Sequence, residues 1–419
     1  MCPVGEPEFD VAVLGAGGAG LSVVVALDRL ARRRRAAGED VTVPSVVLVD
    51  PVVRAGADRT WCFWDVPDGE VLAAVEGAVH RQWRRVEVVG PDGEVGVHDL
   101  NPLRYVMVRS ADFYALADKA LVSLGVERVV AAVDEVVDGA RAGAGSQVRT
   151  TDGRTVSARW VLDSRPAAPR RPANTAWLQH FRGWTLAFDP ATLRPGALDP
   201  QVPVLMDFTT PQPHHAVSFG YVLPLDDRRA LVEYTEFSRT RLTGEQYDTA
   251  LRGYLEARFG AAAAAAAVVE EVEDGAIPMS DAVLDARPAP GRFRVGTAGG
   301  ATRPSTGYTF AAMQRQAHAI AEALLDGRPP APPAAYSHRH LWMDAVLLRA
   351  LDTGRTGGAA LLATLFARNR PADVLRFLDS GTTLVEDLTL MRTTPVLAMS
   401  AAAFGDTAAR LRRRLTRRT

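Results

Sequence analysis

Val11-Ala12-Val13-Leu14-Gly15-Ala16-Gly17-Gly18-Ala19-Gly20 decides the fold. An apolar run that stops in spaced glycines reads as a buried strand turning sharply into a helix. Gly15 allows the tight turn, Gly17 lets a phosphate approach the backbone, and Gly20 brings helix and sheet together. The helix, running from about Gly18 to Arg35, then aims its free N-terminal amides at an anion. A second strand, Val46-Val47-Leu48-Val49, ends in Asp50, placed to accept from the hydroxyls of an adenosine ribose. Asp50 comes later than the usual interval of about 20 residues. The polar stretch Arg35 to Pro44 absorbs the difference as a surface loop. The pattern predicts a Rossmann-type domain that binds a dinucleotide through Gly15, Gly17, Gly18, Gly20 and Asp50; the other reading is a glycine turn without a ligand.

The chain has 419 residues, 47% of them hydrophobic, enough for a sizeable core and two or three domains. A formal net charge of −1 gives no field that favours nucleic acid. Lys119 is the only lysine, which all but excludes Schiff-base chemistry. Two cysteines, Cys2 and Cys62, cannot build a disulfide framework or a zinc site, which suits a reducing cytoplasm. His180 and the pair His214-His215 have no spaced third partner and read as structural histidines, so no metal is expected. Met1 to Asp10 lacks the basic start and apolar core of a signal peptide. No stretch reaches the roughly 18 apolar residues of a spanning helix, so any membrane contact is peripheral.

Further along, Tyr105-Val106-Met107-Val108 reads as a strand entering a helix capped by Ser110 or Asp112. Prolines and arginines from Arg165 to Asn174 mark a crossover. Beyond it, alternating runs such as Ala216 to Val222 and Ala230 to Thr235 predict an antiparallel sheet, followed by a helix from Gly244 to Phe259. Phe293 leads through Gly299-Gly300 into a helix from about Thr309 to Leu325, a return to the first domain. The fold class is therefore α/β with α+β character. A Rossmann-type domain in two parts, 1–165 and 291–330, flanks an antiparallel substrate domain over 166–290, and a helical region over 331–419 closes the chain. That region ends in a tail with Arg410, Arg412, Arg413, Arg414, Arg417 and Arg418, basic enough for anionic lipid and equally readable as a solvated end.

Shorter motifs recur in a telling order: Val49-Asp50-Pro51, Arg59-Thr60-Trp61-Cys62-Phe63-Trp64, Leu162-Asp163-Ser164-Arg165-Pro166 and Gln179-His180-Phe181-Arg182-Gly183-Trp184. Met206-Asp207-Phe208, Leu231-Val232-Glu233-Tyr234-Thr235, Ala276-Ile277-Pro278-Met279, Gly296-Thr297-Ala298-Gly299-Gly300, Pro304-Ser305-Thr306-Gly307-Tyr308-Thr309-Phe310 and Arg376-Phe377-Leu378-Asp379 follow. Together they resemble the lycopene cyclases, relatives of the flavoprotein monooxygenases, from Phe9 to about Phe404.

The resemblance implies FAD, working in its reduced form, with NAD(P)H at most an external reductant. Gly296, Gly299, Gly300, Thr306 and Gly307 would form a second flavin loop, with Thr297 where redox relatives usually carry aspartate, and Arg109 would contact the flavin. It implies a linear carotene such as lycopene, drawn from the inner membrane surface by a cytoplasmic, peripherally bound protein. An apolar tunnel would hold the carotene, lined by Trp61, Phe63, Trp64, Phe208, Tyr221, Tyr308 and Phe310, whose π faces can steady a cation. Glu233 occupies the place of the family's essential acid, among neighbours that favour its neutral form. The acid that often follows it is Tyr234 here. Asp207 is the second carboxylate candidate, with a salt bridge as its other reading, and Glu236 is a substitute expected on a face apart from Glu233 and opposite Tyr234 and Val232. Two rivals remain: a monooxygenase or prenyl reductase, marked by steady NADPH consumption, and a colourless polyisoprenoid escort.

Overall fold

A computed structural model describes residues 7–395 and Ala403; Cys2 and the arginine-rich tail lie outside the described residues. The first strand, Phe9–Leu14, runs parallel to Val46–Val49 on one side and Thr155–Asp163 on the other. Both of its faces are covered, which is why it is apolar throughout Val11 to Leu14 rather than alternating. Val11 and Val13 face the helices Gly18–Ala36, Ser110–Ser123 and Phe310–Leu325, while Ala12 and Leu14 join a smaller core with Val47, Val148 and Val156. Glu127–Val129 extends the sheet beyond Val46–Val49, and Arg292–Arg294 adds in parallel beside Thr155–Asp163. The chain therefore returns to its first sheet after residue 290, as the sequence predicts.

The helix Ser110–Ser123 is capped differently from the expectation. Its N-cap is Arg109, with no side-chain cap bond. Ser110 Oγ instead accepts from the backbone amides of Asp58 and Arg59, at 2.8 and 3.0 Å, and so anchors the preceding loop. Asp112 bonds His80 at 3.1 Å.

The second sheet has seven strands in the order Val268–Ser280, Ala176–Ala187, Arg229–Ser238, Val217–Pro224, Val204–Asp207, Arg85–Val89 and Val95–Asp99. It is antiparallel except where Val204–Asp207 meets Arg85–Val89. Its last two strands come from within 1–165, so that stretch does not serve the cofactor domain alone: Val86 and Val88 are buried in the second core. Period-two alternation sorts the sheet into two faces. Trp184, Val222, Val232 and Tyr234 pack beneath the helix Gly244–Phe259, which starts in a Thr243/Gln246 capping box. Phe181, Phe219, Tyr221, Glu233, Thr235 and Phe237 line a cavity on the other face.

A three-stranded sheet, Thr60–Asp65, Arg104–Arg109 and Val79–Trp83, and the helices His338–Asp352, Gly358–Arg368, Pro371–Leu378 and Leu384–Met391 enclose the cavity further. The buried guanidinium of Arg303 pins two of these helices, His338–Asp352 and Pro371–Leu378, to the loop after Gly300. Its Nε donates to Asp344 at 3.1 Å, and Ser305 donates to the same carboxylate at 2.7 Å. Among the described residues no helix is long and apolar enough to cross a membrane.

Gly20 can bear no side chain, because a Cβ there would overlap the carbonyl oxygen of Gly15, which is backbone and cannot rotate away. Gly20→Ala should therefore cost about 1–3 kcal/mol, the usual range for forced overpacking, read as a lowered urea midpoint; an unchanged midpoint contradicts this close helix-to-strand contact.

Candidate active site

The glycine turn is built as a cradle. Gly15 takes a positive φ of 101°, and a Cβ there would overlap Ser164 Oγ, which is fixed by donating to Leu14 O at 2.8 Å. A Cβ at Gly17, by contrast, would meet nothing, and the helix that follows has no side-chain cap and no acidic residue in its first turn. Free amides facing open space form an anion site. Asp50 accepts from the amides of Ala16 and Val52, each at 2.7 Å, which braces the loop and leaves further lone pairs on its carboxylate. Gly296, Gly300 and Gly307 all take positive φ, and Gly296 lies directly against Ala19. This brings the second glycine loop onto the first. Thr306 Oγ1 and Gln179 Oε1 are buried there without hydrogen-bond partners. A cradle open at Gly17 with two unpaired polar atoms beyond it fits a dinucleotide carrying a polar ring system.

The cradle opens into one continuous cavity of about 1100 Å³. That exceeds the ~300–1,000 Å³ of a typical small-molecule site, so it has room for a second ligand beside a cofactor. Gly17, Gly18, Thr306 and Gly307 line one end; Leu361, Leu365, Phe377 and Leu390 line the other. Of the aromatic residues expected there, Trp61, Tyr221, Tyr308 and Phe310 are on the wall. Phe63, Trp64 and Phe208 are one layer behind, packed on Phe310, Tyr308 and Phe219 at centroid distances of 5.4, 4.7 and 5.8 Å. Gly15, Gly20, Gly296, Gly299 and Gly300 shape the loops without lining the cavity, and Arg109 forms an ion pair with Glu271 instead of reaching in. Cys62, Tyr105, Gln179, Phe181, Thr235 and Phe237 also face the cavity. Burial pushes the Cys62 thiol up to about 12 and raises the phenols of Tyr105, Tyr221 and Tyr308, so these groups stay neutral.

The carboxylates fall on different faces. Glu233, 7% exposed, lines the cavity from the centre of its strand. Asp207 is opposite Gly220, on the helix side of the sheet, where it accepts from Tyr254 at 3.1 Å and pairs with Arg258 at 3.5 Å. It does not reach the cavity. Glu236 shares the face of Tyr234 and Val232, contrary to the expectation, because even spacing returns a strand residue to the same side. It bonds Tyr234 and lies 3.9 Å from His180, itself held by Tyr247 and Ser238. Tyr234 points away from Glu233 too, so an acid at that position could not pair with it across the cavity face.

The residue that does meet Glu233 is Glu273. Both are in register with Gly183, on the strands flanking it. A Cβ on Gly183 would come within 2.8 Å of Glu233 Cγ and 3.3 Å of Glu273 Cγ, so the absent side chain is the space in which the two carboxyls meet. They are hydrogen-bonded to each other, and Thr60 donates to Glu273 at 2.9 Å. Burial, followed by the neighbouring carboxylate, holds Glu233 well above the ordinary carboxyl range. Burial raises Glu273 as well, opposed by its bonds to Glu233 and Thr60 and by the positive charges of Arg59 and Arg109. In sequence Glu273 sits in the acidic run Glu270 to Asp274 and reads as solvated edge; the mid-strand glycine of Arg182-Gly183-Trp184 is the signal that marks the gap.

The family model described as "Lycopene cyclase protein" matches residues 10–404. The chain belongs to the lycopene cyclase family. No curated protein matches its sequence. Among solved structures, it is similar to a flavoprotein/dehydrogenase from Cytophaga hutchinsonii, at 16% identity and a TM-score of 0.57, over 95% of this chain and 99% of that one. It is similar also to p-nitrophenol 4-monooxygenase from Pseudomonas putida, at 15% identity and a TM-score of 0.56, over 95% and 97%. A geranylgeranyl bacteriochlorophyll reductase-like protein from Thermoplasma acidophilum aligns at 15% identity and a TM-score of 0.52, over 94% and 98%. The chain thus shares the mixed α/β fold of flavoproteins.

Because Gly17 has a negative φ and open space around it, a branched side chain there harms a ligand and not the fold. Gly17→Val should melt like the parent protein yet purify without the yellow colour of flavin. Full flavin content in the folded variant would show that the cradle serves another purpose.

Proposed function

We propose that this protein is a lycopene β-cyclase, an FAD-dependent enzyme that converts the linear ψ-ends of lycopene into β-ionone rings without net oxidation. The observation that carries the reading is a buried carboxyl, Glu233, which burial and its carboxylate neighbour hold well above the ordinary carboxyl range, on the wall of an apolar cavity continuous with a dinucleotide cradle. Glu233 adds its proton to the terminal double bond of the carotene, and the tertiary cation is attacked by the neighbouring double bond. Loss of a ring proton then gives the product, an isomer of the substrate. The site must be dry, or water traps the cation. Neutral side chains and aromatic faces at Trp61, Tyr221, Tyr308 and Phe310 suit both needs.

Gly15 to Gly20 and Asp50 would hold the dinucleotide end of FAD, and Gly296 to Gly300, Thr306, Gly307 and Gln179 its flavin end. Reduced flavin, when bound, supplies electron density beside the developing positive charge, and NAD(P)H serves only as the outside reductant. A hydrocarbon substrate sets the protein against the inner membrane surface. In support, Trp342 on the cavity wall is 41% exposed, and the helix Leu384–Met391 exposes Leu384, Val385 and Leu388 while its Leu390 and Met391 line the cavity.

Co-expression in a lycopene-accumulating bacterium, with chromatography of the pigments, tests the reading. Wild-type protein should yield β-rings, and Glu233→Gln, equal in volume but unable to give a proton to an alkene, should lower cyclisation at least ~10²-fold, as loss of a positioned acid does, with flavin retained. Unchanged turnover in Glu233→Gln removes Glu233 as the acid. Reduced or oxygenated carotenes in place of rings would reassign the enzyme to redox chemistry.

A further inference from the structure

Glu273 has no assigned work in the reaction just described, yet three elements converge on it. Its strand, Val268–Ser280, is the edge of the sheet, and its side chain is half-buried, with the cavity on Glu233's side. Gly183 on the intervening strand removes the side chain that would separate the two acids. Thr60, from the facing sheet, donates to Glu273 Oε2 at 2.9 Å.

We propose, resting on the cyclase reading, that Glu273 is a positioning residue: its carboxylate, bonded to Glu233 across the Gly183 gap, makes the two acids hold one proton between them and keeps that proton on Glu233. Two carboxylates in a dry site cannot both ionise at rest. The charge settles on Glu273 because Thr60 and the nearby Arg59 and Arg109 face it, though Arg109 is partly neutralised by Glu271. The groups facing Glu233 from the other elements, Cys62 and Tyr221, are neutral. Asp274, next along the edge strand, is taken up by Arg182 at 2.9 Å. When Glu233 delivers its proton to the alkene, the carboxylate it leaves faces the carbocation, an attraction strengthened in low dielectric, while Glu273 stays across the intervening strand, off the cavity wall. The proton lost from the ring carbon returns to the pair and restores its starting state.

The sign of the pH effect follows. Activity requires Glu233 to be protonated, so it is present at lower pH and lost as pH rises through Glu233's raised titration. Glu273→Gln removes the like charge and leaves Glu233 raised by burial alone, so the alkaline limb of kcat should move to lower pH while the low-pH plateau stays within a few-fold. Glu273→Asp, one methylene shorter, should move the limb less, and it replaces the glutamine variant if that one melts early. An effect on packing alone lowers the plateau and leaves the limb in place, and that result overturns the proposal. An infrared titration of the carboxylic acid carbonyl band, on flavin-loaded protein without carotene, separates this inference from the cyclase reading. The band should vanish in Glu233→Gln and titrate at lower pH in Glu273→Gln. If wild-type protein forms no rings but the band behaves so, the function falls and the pair stands; if the band titrates alike with and without Glu273, the pair falls.

Discussion

Keeping water away from Glu233 is the constraint on which the rest of the structure depends. A carboxyl buried among apolar strands holds its proton because the charged form has no solvation to gain. Such a group needs cover on every side. The second sheet supplies its own strand neighbours, the three-stranded sheet supplies Trp61 and Cys62 opposite, and the C-terminal helices close the far end with Leu361, Leu365 and Leu390. The buried Arg303–Asp344 pair matters for this reason: it fastens the helix His338–Asp352 to the second glycine loop, so that the glycine-lined end and the apolar end of the cavity form one enclosure.

One strand carries both jobs. In Arg229–Ser238, Val232 and Tyr234 enter the core beneath the helix Gly244–Phe259, while Glu233, Thr235 and Phe237 face the cavity. A shift of one residue in register would put Glu233 against Tyr254 and Arg258, the environment that Asp207 occupies. The long pairing with Ala176–Ala187, ten residues in unbroken register, holds that choice.

The first domain was legible because its signals are local. Strand, glycines and helix follow one another without a break between Phe9 and Ala36, and the predicted helices from Gly18 and Gly244 match Gly18–Ala36 and Gly244–Phe259. Glu233 could be singled out only through the order of motifs around it. Glu273 could not, because its partner is 40 positions away and the contact runs across an intervening strand. Asp207 misled for a related reason: a buried acid beside aromatic residues looks alike in sequence whether it faces a cavity or an arginine, and only the register with Gly220 separates the two. Arg85 to Asp99 escaped notice because it is a short hairpin inside the first domain, joined to the second sheet only where Arg85–Val89 pairs with residues more than a hundred positions on.

The central claim is that a proton from a buried carboxyl starts the reaction and nothing is oxidised. Turnover in D2O, anaerobically with pre-reduced protein, tests it most directly by mass spectrometry of the pigment. Protein equilibrated in D2O before carotene is added carries a deuteron on Glu233, so each ring formed in a first turnover should carry one deuterium in place of one hydrogen, with no reductant consumed. Rings without deuterium, or a product heavier by two added hydrogens for each reductant used, would contradict the account.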